Sequence, residues 1–321
     1  MALRSLDNAL PTSMERPKKV AKVAAPPPAA KSPAPAQLPR DVRTNNENTP
    51  PPAPPMDQSV EYVASEDLKP LSDPDARMAV LLDELSSKDW TQVCEALNDL
   101  RRMALHHSSL LVPILGNVTE VIVRAMKSPR SALCKTSIMA SADIFHCFGH
   151  LLLFTTEKNS FGQLLLQLLL KASQDKRFVC DEAEKALEKM AVSVSPLPLL
   201  KELQSYVRHA NLRVRAKAAV AMSKCVSKMG IEVMKGFGLA TLLQVAAELL
   251  SDRLPEARDA ARTIINSIYR EFSNDSNIKD VDESAAAESW QNFCASNLPP
   301  IAAQSVAKIV SLTFICSLAS T

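Results

Sequence analysis

The side chains in this chain that could do chemistry are mostly cations, and they recur at polar turns. The stretch "SSKDWTQVCEALNDLRRM", residues 86–103, sets Lys88, Asp89 and Trp90 where a turn gives way to an apolar-periodic run. Later turns carry Lys127 and Arg130, then Lys176 and Arg177, then Arg208, His209, Asn211 and Arg213, and finally Arg253 with Arg258. Guanidinium and ammonium groups bind carboxylates, and an indole beside them adds a large apolar contact with a polar tip. A single basic loop means little, because surface loops are polar by default. One charge sign shared by successive turns is what points to a binding strip suited to an acidic protein partner. Trp90 alone has two readings, a staple closing the loop onto the core or a contact residue at the loop tip. The agreement of the turns favours contact. Asp175 and Asp252 are read as caps of the helices that follow them.

Catalytic chemistry finds little support. The chain has no phosphate-cradling glycine loop, no HExxH and no recognisable triad spacing, so no enzyme activity and no cofactor are expected. His146 and His150 stand at i and i+4, a spacing that suits a metal, but no cysteine or carboxylate completes a motif nearby. His106 and His107 are adjacent, diverge by about 100° on a helix, and are read as ending one. The strip lacks the interleaved aromatics that stack bases, and the formal charge is only +2, so nucleic acid is not an expected partner.

These turns need elements to hold them in line. With 6 glycines and 4% aromatics against abundant leucine, alanine, lysine and glutamate, helix formers dominate, and the expected fold class is all-α. From residue 72 onward, apolar residues fall at helical spacing in a repeating unit of helix, polar turn and helix. The turns at 86–90, 127–131, 173–177, 208–213 and 251–256 recur about every 40 residues, the period of HEAT-type repeats. In the second helix of each pair, Val93 with Leu97, Leu133 with Ser137, Val179 with Ala183, Val214 with Ala218 and Ala257 with Ala261 lie four apart on one face. A helix pair cannot bury such a stripe alone. Pairs therefore stack into a HEAT/ARM-like α-solenoid, and turns of one kind line up along one edge.

Residues 1–68 are proline-rich, basic in their first half and poor in large apolar residues, and are expected to form a disordered arm. Its lysines would suit an acidic surface, so the arm is a candidate site for other protein partners. Ser32-Pro33 and Thr49-Pro50 are candidate phosphorylation sites that would lower its charge. The solenoid is expected over 72–275, with a linker and a sixth, capping helix pair in 276–321, broken at "NLPP". The 7 cysteines show no CxxC pairing and fall in apolar patterns, which reads as reduced core thiols of an intracellular protein. The N-terminus lacks the apolar run of a signal peptide, so the cytoplasm is the default location. The apolar end "IVSLTFICSLAST" is shorter than the roughly 20 residues that span a bilayer, which favours a packed last helix and no membrane partner.

Four segments carry a resemblance. "SKDWTQVCEALNDL", "SPRSALCKTSIMASADIFHCFG", "DKRFVCDEAEKALEKM" and "HANLRVRAKAAVAM" together look like a TOG domain of the CLASP type, as in the CLASP and crescerin families of microtubule regulators. The resemblance covers about residues 75–275. It implies a TOG-like fold, tubulin or microtubules as partner and a place on the cytoplasmic microtubule cytoskeleton. It also implies that Trp90 and Lys88 lie at the first contact turn, and that Arg130, Lys176, Arg177, Asn211, Arg213 and Arg258 stand at later ones. The chain shows one such domain, unlike the large family members, so processive polymerase activity is not expected from it. The other function class left open is a general α-solenoid scaffold that uses a helical face instead of the turn edge.

Overall fold

The computed structural model describes residues 62–155, 160–275 and 283–318; the side chains of 155, 275, 283–285 and 311–318 are not described. The described residues are helical, with no strand among them. α1 (Pro74–Glu84) leads by a short turn into α2 (Trp90–His106), and α3 (Ser108–Leu111) connects to α4 (Leu115–Met126). Then come α5 (Ser131–Thr155), α6 (Ser160–Ala172), α7 (Arg177–Ser193), α8 (Pro196–Tyr206) and α9 (Leu212–Val226). α10 (Ile231–Phe237), α11 (Leu239–Leu250), α12 (Pro255–Asp275), α13 (Glu283–Asn297) and α14 (Pro300–Leu318) complete the order.

Local chemistry sets several of these starts. Asp73 accepts from the Ala76 amide at 3.0 Å with Pro74 at the first helical position of α1, and Asp89 accepts from the Thr91 amide at 2.9 Å to open α2. Asn211 opens α9 in the same way, accepting from the Arg213 amide at 3.0 Å. Gly238 has φ 107°, a backbone conformation open to glycine, and there α10 turns by 81° into α11.

The helices form two layers. α2, α5, α7, α9 and α12 pack in that order as one layer, and α4, α6, α8 and α11 cover them from the other side. The ten register residues, from Val93 and Leu97 to Ala257 and Ala261, are all buried between the layers. α5 lies between α2 and α7 and also packs on α4, which explains its composition. By length and composition Ser131–Phe154 and Ser108–Met126 would each pass for a membrane span, yet most of their large apolar side chains are buried in the core of the stack, Phe154 and Val112 being exposed. Gly149 in α5 allows the closest approach, since a Cβ there would sit 2.5 Å from the Ser193 carbonyl oxygen at the end of α7.

Beyond the fifth pair, α14 packs on α11 and α12, and α13 on α11 and α14. The second tryptophan, Trp290, is unlike Trp90 in burial: it is 2% exposed and meets Tyr269 and Phe272 edge-on. The helix break falls at residues 298 and 299, within "NLPP".

The arm departs from expectation at its end. Residues 62–68, assigned to the arm by composition, lie on the helices: Leu68 is buried, its carbonyl oxygen is 2.7 Å from His106 Nε2, and Tyr62 stacks under Lys135. The reason is a buried ion pair that this segment completes. Arg101 Nε donates to Asp143 Oδ2 at 2.6 Å, Arg101 Nη1 donates to the Val63 carbonyl at 2.9 Å, and the Ser65 hydroxyl donates to Asp143 Oδ1 at 2.7 Å. Residues 1–61, with Ser32 and Thr49, lie outside the described residues.

Candidate functional site: the turn edge

Each of the five turns joins the first helix of a pair to the second, and side chains tie each turn to its neighbour. Arg130 of the second turn places its guanidinium carbon 4.9 Å from the centroid of the Trp90 ring in the first. Lys176 Nζ of the third turn donates to Ser131 Oγ of the second at 3.0 Å. Arg213 Nη1, just past the fourth, donates to Asp175 Oδ1 of the third at 2.6 Å and to the Ser173 carbonyl at 3.3 Å. Arg215 Nε then donates to Asp252 Oδ2 of the fifth at 2.5 Å. The chain of contacts runs through all five turns in sequence order, so they share one edge. The repeat period implies this alignment, and the bonds across it hold the turns in register.

The expected site residues fall on this edge but differ in state. Lys88, Arg130, Lys176, Arg177, Asn211 and Arg213 are exposed, and Arg258 is half-buried. Lys88 forms no ion pair among the described residues. Arg177, with 92% of its side chain exposed, pairs with Asp181 only at 3.6 Å, a contact worth little in water. Arg258 donates to the carbonyl oxygens of Asp252 and Arg253 at 2.8 and 3.0 Å, so it shapes the fifth turn from inside. Asn211 is both exposed and the cap of α9.

Two sequence expectations are corrected. Trp90 is not a fully exposed loop tip: it is half-buried, rests on the apolar core and carries Arg130 on its face. As the first residue of α2 it has one ring face turned to the core, a mixture of the two readings. Asp175 does not cap α7, whose N-cap Lys176 makes no side-chain cap bond; Asp175 neutralises Arg213 instead. Asp252 accepts from the Leu254 amide at 2.9 Å, inside the turn, while paired with Arg215. Burial would raise its pKa, but the Leu254 amide and the Arg215 guanidinium outweigh that and hold the carboxyl below the ordinary carboxylate value.

Sequence reasoning passed over several residues. Phe178, at the start of α7, is 45% exposed; it follows "DKR" and precedes the buried Val179, and no local pattern marks it as open. Arg208 pairs with Glu248 through two bonds of 2.8 and 2.7 Å across about one repeat, which no local pattern announces. His146 and His150 are exposed on α5, and the described residues hold no group of three metal-ligating side chains.

No family profile matches the chain. The TOG array regulator of axonemal microtubules protein 1 of Mus musculus is 29% identical over 215 residues, 64% of this chain and 12% of that protein. The Homo sapiens protein of the same name is 29% identical over 147 residues, 44% of this chain and 8% of its own length. The chain thus spans a small part of these relatives. Among solved structures, the MAST/Orbit N-terminal domain superposes with a TM-score of 0.53 at 13% identity, covering 77% of this chain and 100% of its own. The TOG domain of C. elegans Zyg9 also gives a TM-score of 0.53, at 14% identity over 73% of this chain and 81% of its own. The chain is similar in sequence to part of these TOG array regulators, and its fold is that of the Zyg9 TOG domain and the MAST/Orbit N-terminal domain.

Proposed function

We propose that this protein binds tubulin through the turn edge and so takes part in organising microtubules at the cytoskeleton. The observation that carries the reading is the edge itself, five turns cross-bonded into one strip whose exposed cations include Lys88, Arg130, Lys176, Arg177 and Arg213. The names of the mouse and human relatives, TOG array regulators of axonemal microtubules, support tubulin over other acidic partners.

The strip acts by complementarity. Cations held at fixed spacing steer and orient an acidic surface, and their prior pairing to Asp175, Ser131 and Trp90 reduces the side-chain entropy lost on docking. The chemistry asks for no cofactor, only surface.

Gel filtration and co-sedimentation with purified tubulin test the reading. The full chain is expected to co-elute with tubulin at low ionic strength and to lose that association on the double change Arg177→Glu with Arg213→Glu. Undiminished binding by a folded double variant would transfer the contact to a helical face, as in a general scaffold.

A further inference from the structure

We infer that Phe178 is the apolar anchor of the tubulin contact on the turn edge, with Trp90 acting beneath it as a platform for Arg130. This rests on the proposed reading of the edge and adds a second aromatic, with its own role, to that site.

The two aromatics differ in what they already touch. Trp90 is half-buried against the core and one face of its indole holds the Arg130 guanidinium at 4.9 Å. Little of it remains for a partner. Phe178 is 45% exposed and is absent from the side chains packed on the core. It is the second residue of α7, so it projects at the third of the five turns, midway along the edge.

Its surroundings are charged and reachable. Arg177 precedes it, Lys176 reaches across to Ser131 on one side, and the Arg213–Asp175 pair closes the other. All of these cations are exposed. An apolar ring at the middle of a charged rim, its cations Lys176, Arg177 and Arg213 interleaved with Asp175 and Asp181, is the layout of a contact whose centre is desolvated and whose margin is polar. A lone exposed phenylalanine is ordinary on a protein surface. This one stands at the middle of a bonded strip, keeps 45% of its surface open, and is flanked by the groups that would draw in an acidic partner.

The test compares three full-length proteins for melting temperature and tubulin affinity at low and at raised ionic strength: wild type, Phe178→Ala, and Arg177→Glu with Arg213→Glu. Phe178→Ala is expected to melt as wild type and to bind about tenfold more weakly, as removal of a central aromatic does. That factor should be nearly the same at both salt concentrations, because apolar burial is not screened, whereas the loss in the charge variant should shrink as salt rises. Loss of binding by the charge variant with Phe178→Ala unaffected would overturn the anchor while leaving the edge as the binding surface. Wild-type binding by both would overturn the edge reading and the anchor together. A marked fall in melting temperature for Phe178→Ala would overturn it too, by showing that the ring serves the fold.

Discussion

The guanidinium carbon of Arg130 lies 4.9 Å from the centroid of the Trp90 ring, so the first and second turns are joined face to face. A cation at this range over an indole gains about 0.5–1 kcal/mol when exposed. The contact removes one freedom from each side chain and fixes where the second turn presents its charge. A half-buried tryptophan thus serves fold and surface together.

Trp90→Ala should therefore change two readouts. Full burial would make the loss roughly 3–5 kcal/mol; with Trp90 half-buried, about 1–2 kcal/mol of stability is expected to go. Tubulin affinity should fall as well, because Arg130 loses its perch. Denaturant melts and co-sedimentation on the same sample check this, and Trp90→Phe should recover most of both. A melt indistinguishable from wild type would contradict the packing described here.

Gly149→Ala tests the closeness of the layer. The added methyl would stand 2.5 Å from the Ser193 carbonyl oxygen, so α5 and α7 must separate. Overpacking of this kind costs about 1–3 kcal/mol. Thermal unfolding is the measurement, and tubulin binding at a temperature where the variant is folded should be retained.

Asp143→Ala should cost more. It strips the partner from Arg101, whose side chain is 1% exposed, and leaves a buried guanidinium with its main anion gone. Breaking such a pair costs about 3–5 kcal/mol. Ser65→Ala removes one bond to the same carboxylate, and about 1 kcal/mol is expected from it. No loss for Ser65→Ala in urea titrations would show that the segment 62–68 is not held by this bond.

Asp252 gives a pH dependence whose sign follows from its shift. Its carboxyl is held below the ordinary value of 3.8, so the folded state binds a proton less readily than the unfolded chain. Its stabilising contribution is complete above that ordinary value and fades as pH falls through the lower, folded-state value. The stability gap between wild type and Asp252→Asn should accordingly be widest near neutrality and narrow in acid. Melts at stepped pH measure it, and a gap that widens in acid would refute the pairing with Arg215.

Thiol chemistry should report the core. Burial pushes the Cys225 thiol up to about 12, and those of Cys94 and Cys294 to about 11. Little thiolate is present near pH 8, so alkylation of these three in the folded protein should be slow and should become fast in denaturant. Mass spectrometry of the labelled chain would locate any that react early.

Much of this architecture was legible in the residues themselves. Apolar positions four apart, as in Val179 and Ala183 or Val214 and Ala218, impose helices with one buried face, and polar turns about every 40 residues impose their pairing. Short-range periodicity carries both facts, because a helix face is decided by neighbours three and four along the chain. Composition alone assigned residues 62–68 to the proline-rich arm, yet they pack on the helices. Nothing local in Val63 or Ser65 shows that Arg101 and Asp143, 38 and 78 residues away, will need them.

What only the tertiary structure decided is which charges are free and which aromatic is exposed. Arg213 and Arg177 look alike in sequence, yet Asp175 engages the first at 2.6 Å, while the second stands 92% exposed with a loose neighbour. Trp90 suggests a contact and is half-covered; Phe178 attracts no notice and stands open. The reason is physical. A side chain's partners across the edge lie about one repeat away in sequence, and their distance is set by how closely the helix pairs stack, a quantity fixed by packing at sites such as Gly149 and by no pattern within a single turn.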